Sequence, residues 1–268
     1  MLKTTIMKRL FLVFCGSLLL WISGCKREQA VDQLPAFRME NFERVTDPCD
    51  EAGNNCVRMR AVFPVFESGM PAPVQERVND SILQLTKASL TLLDSEFDLH
   101  EFTLDMLADT LFQTYATYTG EAEYRTPWEL EVKGEVLFLS PGMTTVSLES
   151  FSFTGGAHPN SNTVLLNIDL KTGKSVNLLD YVQDLKKLNQ LAEKAFRESR
   201  ELAPEEDLNE AGFFWDSDFQ LPANIGLVEE GLYFYYNSYE IAAYAWGSTD
   251  FVLTWETLGE IFDRNRVE

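Results

Sequence analysis

Apolar residues recur along this chain at two spacings, every second position in some stretches and every third or fourth in others. These two periods divide it into strands and helices. Val57 to Phe66 alternates, with Val57, Met59, Ala61 and Phe63 on one side, and predicts a strand stopped near Pro64. Gly69 to Pro73 is a turn. Val74, Val78, Ile82, Leu85 and Leu92 then place one apolar stripe on a helix from about Val74 to Leu93. Leu104, Leu107, Leu111 and Tyr115 repeat the stripe on a second helix ending before Gly120. Alternation returns from Trp128 to Ser140, is broken by Gly134 and stops at Pro141-Gly142. Helices with one apolar stripe pack on sheet, so this half is α+β.

The second half is organised around a shaped connection. An alternating run from Val146 to Phe153 ends at Gly155-Gly156, passes through Ala157-His158-Pro159-Asn160 and resumes at Thr163 to Leu170. The glycine pair permits positive φ, Pro159 fixes its own φ and Ala157 leaves space, so this loop is specified more tightly than a solvated link requires. Lys171 to Lys174 is a tight turn into a short strand at Ser175 to Leu178. Leu185, Leu188, Ala192, Ala195 and Phe196 give a helix from about Asp184 to Leu202, with Asp184 as N-cap and Pro204 as its stop. Ile225 to Val228 and Leu232 to Tyr236 flank the hairpin signal Glu229-Glu230-Gly231. Thr249 to Thr254 is a last strand before a short helix through Leu258 and Ile261. The expected fold class is therefore α+β, antiparallel sheets with long helices packed on them, with two halves joined in one compact unit.

Lys3, Lys8 and Arg9 precede an apolar run from Leu10 to Ile22 that is too short to span a bilayer as a helix, the pattern of a signal peptide. The run closes on Ile22-Ser23-Gly24-Cys25, which resembles the bacterial lipobox and implies acylation of Cys25. An ordinary secretory signal with an incidental cysteine, or an uncleaved anchor, stays the alternative. Lys26 after that cysteine favours the outer membrane, by resemblance to enterobacterial sorting rules. The expected organisation is a lipoprotein signal peptide over 1–24, a tether over 25–50, an N-terminal α+β domain over 51–145 and a C-terminal α+β domain over 146–268. The chain would then face the periplasm from a lipid anchor.

In an oxidising envelope Cys49 and Cys56 predict a small disulfide loop, worth roughly 2.5 kcal/mol by chain entropy. Lys and Arg number 22 against 42 Asp and Glu, a formal charge of −20. Removing the leader takes away three basic and no acidic residues, which leaves −23. Such a surface repels phosphate backbones and argues against nucleic acid as a partner. It either serves solubility or steers a cationic partner.

Three segments together carry a family resemblance. Thr154 to Asn160 followed by Asn167 to Lys174 resembles the central hairpin of the RsiV-like extracytoplasmic domain, a domain of unknown function. Glu230 to Asn237 followed by Tyr239 to Gly247 resembles its C-terminal signature, with Ala243 where the family usually has Pro. The half before Phe151 is similar to the N-terminal domain that accompanies it. Members include the outer domain of an anti-sigma factor that binds lysozyme and the non-catalytic part of a peptidoglycan deacetylase. The resemblance implies an envelope recognition module without catalytic residues, because the chain ends at Glu268 with no room for a deacetylase domain.

Candidate chemistry gathers on the two loops that carry the motifs. The expected ligand-binding residues are Gly155, Gly156, His158, Asn160, Tyr239, Glu240, Tyr244 and Trp246. His158 can ligate metal or hold a shaped turn, and with His100 distant the second role is favoured; no metal and no cofactor is expected. Glu240 would need a second placed carboxylate to cleave a sugar bond, and no motif supplies one. In a strand, Phe234 and Tyr236 share one face and Tyr233 and Tyr235 the other, so one pair is core. The expected function is non-enzymatic binding of a lysozyme-like protein or a peptidoglycan fragment. A glycan-active enzyme using Glu240 and His158, and a scaffold lipoprotein partnering another envelope protein, stay open.

Overall fold

In the computed structural model, a six-stranded sheet and a three-stranded sheet share one unit. The structure describes residues 34–46, 56–92, 98–120, 126–215 and 217–267. All belong to one compact unit, Asp32–Glu268. The expected leader, Cys25 and Cys49 lie outside the described residues.

The first sheet has six strands in chain order: β1 (Ala36–Val45), β2 (Val57–Ser68), β3 (Trp128–Leu139), β4 (Met143–Phe153), β5 (Asn160–Asp169) and β6 (Lys174–Ser175). Every pair is antiparallel except β2 and β3, which run parallel. The cause is the crossover between them, which contains α1 (Ala72–Leu90) and α2 (Leu104–Thr119) and returns the chain to the sheet in the same direction. The Thr103 side chain accepts the Met106 N–H to start α2, and Gly120, at φ 51°, ends it.

The period-2 face read in β2 is the buried one. Val57, Met59, Ala61 and Phe63 join Leu130 and Val132 of β3 and Val146 and Leu148 of β4 against Val78 and Ile82 of α1 and Leu107, Leu111 and Tyr115 of α2. Leu92 departs from the expected stripe. The helix stops at Leu90, Thr91 turns extended, and Leu90 is buried while Leu92 faces solvent. Lys87 is also buried on α1. Its Nζ donates to Leu99 O at 2.7 Å and Phe102 O at 3.1 Å, and burial pulls its pKa below the usual lysine value.

The second sheet comprises β7 (Asn224–Val228), β8 (Gly231–Tyr236) and β9 (Thr249–Thr254), in that order. Across it lies α3 (Leu185–Ser199), whose Asp184 cap accepts the Lys187 N–H at 2.9 Å. Leu188, Ala192 and Phe196 of α3 bury against Phe234, Tyr236, Phe251 and Leu253 together with Phe213, Phe214 and Phe219. Each such aromatic or aliphatic side chain contributes about 1.5–3 kcal/mol by leaving water. A short helix α4 (Trp255–Leu258) follows β9 directly.

Three local expectations need correction. Ala36–Val45, placed in a tether over 25–50, is β1 at the sheet edge, with Arg44 paired to Asp105 and Asp109 of α2. The strand expected at Ser175 to Leu178 is only the two residues of β6, because Leu178–Tyr181 coils into a 3₁₀ turn capped by Asn177. Position 145/146, taken as a domain boundary, falls inside β4, whose neighbours β3 and β5 come from either side of it.

Side chains satisfy the backbone where the sheets meet. Asn224 accepts the Leu165 N–H at 3.0 Å and donates to Thr163 O at 3.0 Å. Asn167 Nδ2 donates to Ile225 O at 2.7 Å, and Leu227 N–H donates to Thr145 Oγ1 at 2.9 Å. The free backbone of β5 at Thr163 and Leu165 is thus met by the Asn224 amide, and that of β7 at Ile225 and Leu227 by the Asn167 amide and the hydroxyl of Thr145 from β4. Gly226 is required at this contact, since a Cβ there would stand 2.8 Å from Thr145 Cγ2. Among the described residues no helix is long and apolar enough to cross a membrane.

Candidate functional site

The junction of the sheets brings the two motif loops together. The first loop joins β4 to β5 and carries His158; the second joins β8 to β9 and carries Tyr239 to Gly247. Asn237, the residue after β8, fixes their relative position. Its Oδ1 accepts the Thr163 N–H at 2.7 Å and its Nδ2 donates to Thr163 O at 3.0 Å, so its amide stands in for a strand along β5.

Three expected residues form one cluster of rings. His158 stacks on Tyr244 with centroids 4.2 Å apart and planes 21° apart. Tyr239 stands 5.4 Å from Tyr244 and 6.3 Å from His158, and its hydroxyl lies 3.5 Å from His158 Nε2. Tyr244 O–H donates to Pro159 O at 3.4 Å, while His158 Nδ1 lies 2.9 Å from the same carbonyl. The imidazole is thus held across a shaped turn beside Pro159. Of the glycine pair, Gly155 uses positive φ, at 88°, and Gly156 does not. Asn160 is exposed and opens β5 opposite Ser152.

Glu240 and Trp246 flank the cluster in different roles. Glu240 Oε2 accepts the Asn237 N–H at 2.8 Å, and Glu240 N–H donates to Asn237 O at 3.1 Å, a reciprocal pair that closes the turn. Trp246 leans on Phe213, with centroids 5.1 Å apart, and its Nε1 would stand 3.3 Å from a Cβ on Gly212. Arg200 holds the end of this loop by donating to Trp246 O, to Ser248 O at 2.6 Å and to Thr249 Oγ1, with its guanidinium over Phe213. Burial lowers its pKa from the usual arginine value.

The rings are presented to solvent. Tyr239 is 54% exposed, Trp246 51% and Tyr244 37%. Tyr239 also sits at φ 69°, a left-handed conformation that costs a non-glycine residue about 1–3 kcal/mol. By contrast Phe234 and Tyr236 are buried in the core. Among the described residues no three of His, Cys, Asp and Glu stand together as a metal-ligand group.

Residues 179–256 match the family model of a protein of unknown function, DUF3298. Residues 51–161 match the model described as Deacetylase PdaC. The DUF3298 stretch holds the second sheet and the Tyr239 loop, and the PdaC-like stretch ends just past His158, so the ring cluster is built from both. The hairpin expected to belong with the C-terminal signature instead begins in the PdaC-like stretch and continues, at Asn167 to Lys174, between the two. A DUF3298 family structure from Bacteroides fragilis is similar, with 16% identity over 86% of this chain and 95% of that one, at a TM-score of 0.64. A DUF3298 family structure from Pseudomonas aeruginosa gives 17% over 88% and 97%, at 0.64. At that identity the likeness is one of fold. Comparison with curated proteins gave no match.

Sequence reading did not single out Asn237, Arg200 or Trp215. Trp215 is 55% exposed and left-handed at φ 53°. The only signal was the run Phe213-Phe214-Trp215 inside an acidic, polar stretch.

Proposed function

We propose that this chain is a non-enzymatic recognition module of the bacterial envelope that binds a lysozyme-like protein or a peptidoglycan fragment through the face of His158, Tyr239, Tyr244 and Trp246. In this reading it faces the periplasm, held at the outer membrane by lipid on Cys25, and Cys49 is bonded to Cys56. The observation that carries the reading is the exposed ring cluster. Two loops from different sheets, fixed by Asn237 and Arg200, hold large aromatic side chains in water. Fixed Tyr and Trp side chains bind at low entropic cost, and these residue types dominate protein hot spots.

A catalytic role for Glu240 has less support, since one of its oxygens accepts the Asn237 N–H. The same face would equally serve a scaffold lipoprotein. The discriminating experiment is calorimetric titration of the domain begun after Cys25 against lysozyme and separately against muropeptides. Binding to either, lost in Tyr244→Ala with the fold retained, supports the reading. Binding to neither overturns it and directs attention to crosslinking for another envelope partner.

A further inference from the structure

We infer that Trp215 is a further recognition residue of the aromatic face, and that the face takes the basic surface of a protein. The inference rests on the recognition reading above and adds a residue and a partner chemistry to it. The starting point is a run of two left-handed residues, Phe214 at φ 59° and Trp215 at φ 53°. Glycine or asparagine suits that backbone far better than an aromatic residue. Phe214 has a packing reason to be there. It is buried against Phe196, Phe219 and Tyr236. Trp215 stacks on no ring among the described residues and is 55% exposed.

The segment is tied to the recognition loop. Phe213 bridges to Ala242, and Phe214 N–H donates to Ile241 O at 2.6 Å, so the chain reaches Trp215 alongside the residues that lead from Tyr239 to Tyr244. Ser217 closes the turn from the other side, its N–H and Oγ–H both donating to Phe214 O. The backbone beside Trp215 is therefore tied to the recognition loop while its side chain stays open to a partner.

Charge selects the partner. From Glu201 to Asp263 the chain has 14 acidic residues and no Lys, Arg or His. That span supplies the whole second sheet, Trp215 and every ring of the face except His158. Exposed Glu210, Asp218 and Glu240 lie within a few residues of those rings. A neutral sugar chain gains nothing from such a field, whereas a basic protein gains a faster encounter, and its Lys and Arg side chains can stack on indole and phenol faces.

The test uses the full chain with hen lysozyme as a basic-protein probe and chitooligosaccharide as a neutral glycan probe. Trp215→Gly relieves the left-handed backbone, so it should melt at the same or a higher temperature than wild type yet bind lysozyme about tenfold or more weakly. Trp215→Phe should recover part of the affinity. As a readout independent of folding, Trp215 in the wild-type chain should be protected from oxidative labelling when lysozyme is bound. Wild-type binding to lysozyme that Trp215→Gly leaves intact, with no protection of Trp215, overturns the added residue while sparing the recognition reading. Binding to chitooligosaccharide and not to lysozyme overturns the partner chemistry. Binding to neither probe overturns the inference, and the underlying reading is then decided separately by the muropeptide titration.

Discussion

The Asn237 side chain pairs with the Thr163 backbone as a strand would, accepting its N–H at 2.7 Å and donating to its carbonyl at 3.0 Å. Beside Asn224, which also donates to Thr163 O, this amide joins the end of β8 to the open edge of β5 and sets the Tyr239 loop against the His158 loop. Replacing it removes both bonds from a half-buried edge. Asn237→Ala should cost about 2 kcal/mol, or several degrees in melting temperature for a domain of this size. Hydrogen exchange should rise at 237–247 more than in α1. Unchanged exchange there would show that the loop is held by other contacts.

Tyr236 predicts an alkaline limit to stability. It is buried, donates to Gln220 O at 2.6 Å, and burial followed by the charge of Glu240 pushes its phenol above its ordinary value of 10.0. The unfolded chain therefore releases this proton at a pH where the folded chain retains it. Stability from this group is present in full below about pH 10 and is lost as pH rises further. Tyr236→Phe should cost about 1 kcal/mol at neutral pH and make the alkaline fall in melting temperature shallower. An identical fall in both proteins would count against the assignment.

Glu240 separates loop-holding from catalysis. Because its carboxylate closes the turn on the Asn237 N–H, Glu240→Gln keeps an acceptor and should alter stability by less than about 0.5 kcal/mol, whereas Glu240→Ala should cost about 1 kcal/mol. Neither change should abolish an activity on purified peptidoglycan, because none is expected. Release of sugar ends or acetate by wild type, lost in Glu240→Gln, would establish the enzyme instead.

Cys56 is buried just before β2, and its carbonyl accepts the Trp128 N–H at 3.0 Å, so a link from it to Cys49 would anchor the start of the parallel pair. Non-reducing peptide mapping should find the Cys49–Cys56 link. Cys49→Ser should lower stability by roughly 2.5 kcal/mol. Two free thiols in protein recovered from an oxidising compartment would contradict it.

Much of the fold was legible because burial follows period. Val57, Met59, Ala61 and Phe63 are buried as the alternation predicts, and Leu188, Ala192 and Phe196 as the helical stripe predicts. β1 escaped notice because an edge strand with most side chains in water has no buried face to impose a pattern. The parallel pairing of β2 with β3 depends on where α1 and α2 return the chain, which no local signal records. At the site, the two loops could be named from their motifs. The stacking of His158 on Tyr244, 86 residues apart, follows from amide contacts such as Asn237 with Thr163. Nor does the sequence mark Tyr239 and Trp215 as left-handed, since neither is the glycine or asparagine that the conformation favours.

The ring cluster as a recognition face is tested most directly by the dissociation constant for lysozyme of the wild-type domain and of Tyr244→Ala, each measured at low and moderate salt. Wild type should bind, salt should weaken binding, and Tyr244→Ala should weaken it about tenfold or more at both salt concentrations, with a melting temperature lowered by only a few degrees through the lost ring contacts. Equal affinity of the two proteins would contradict the claim.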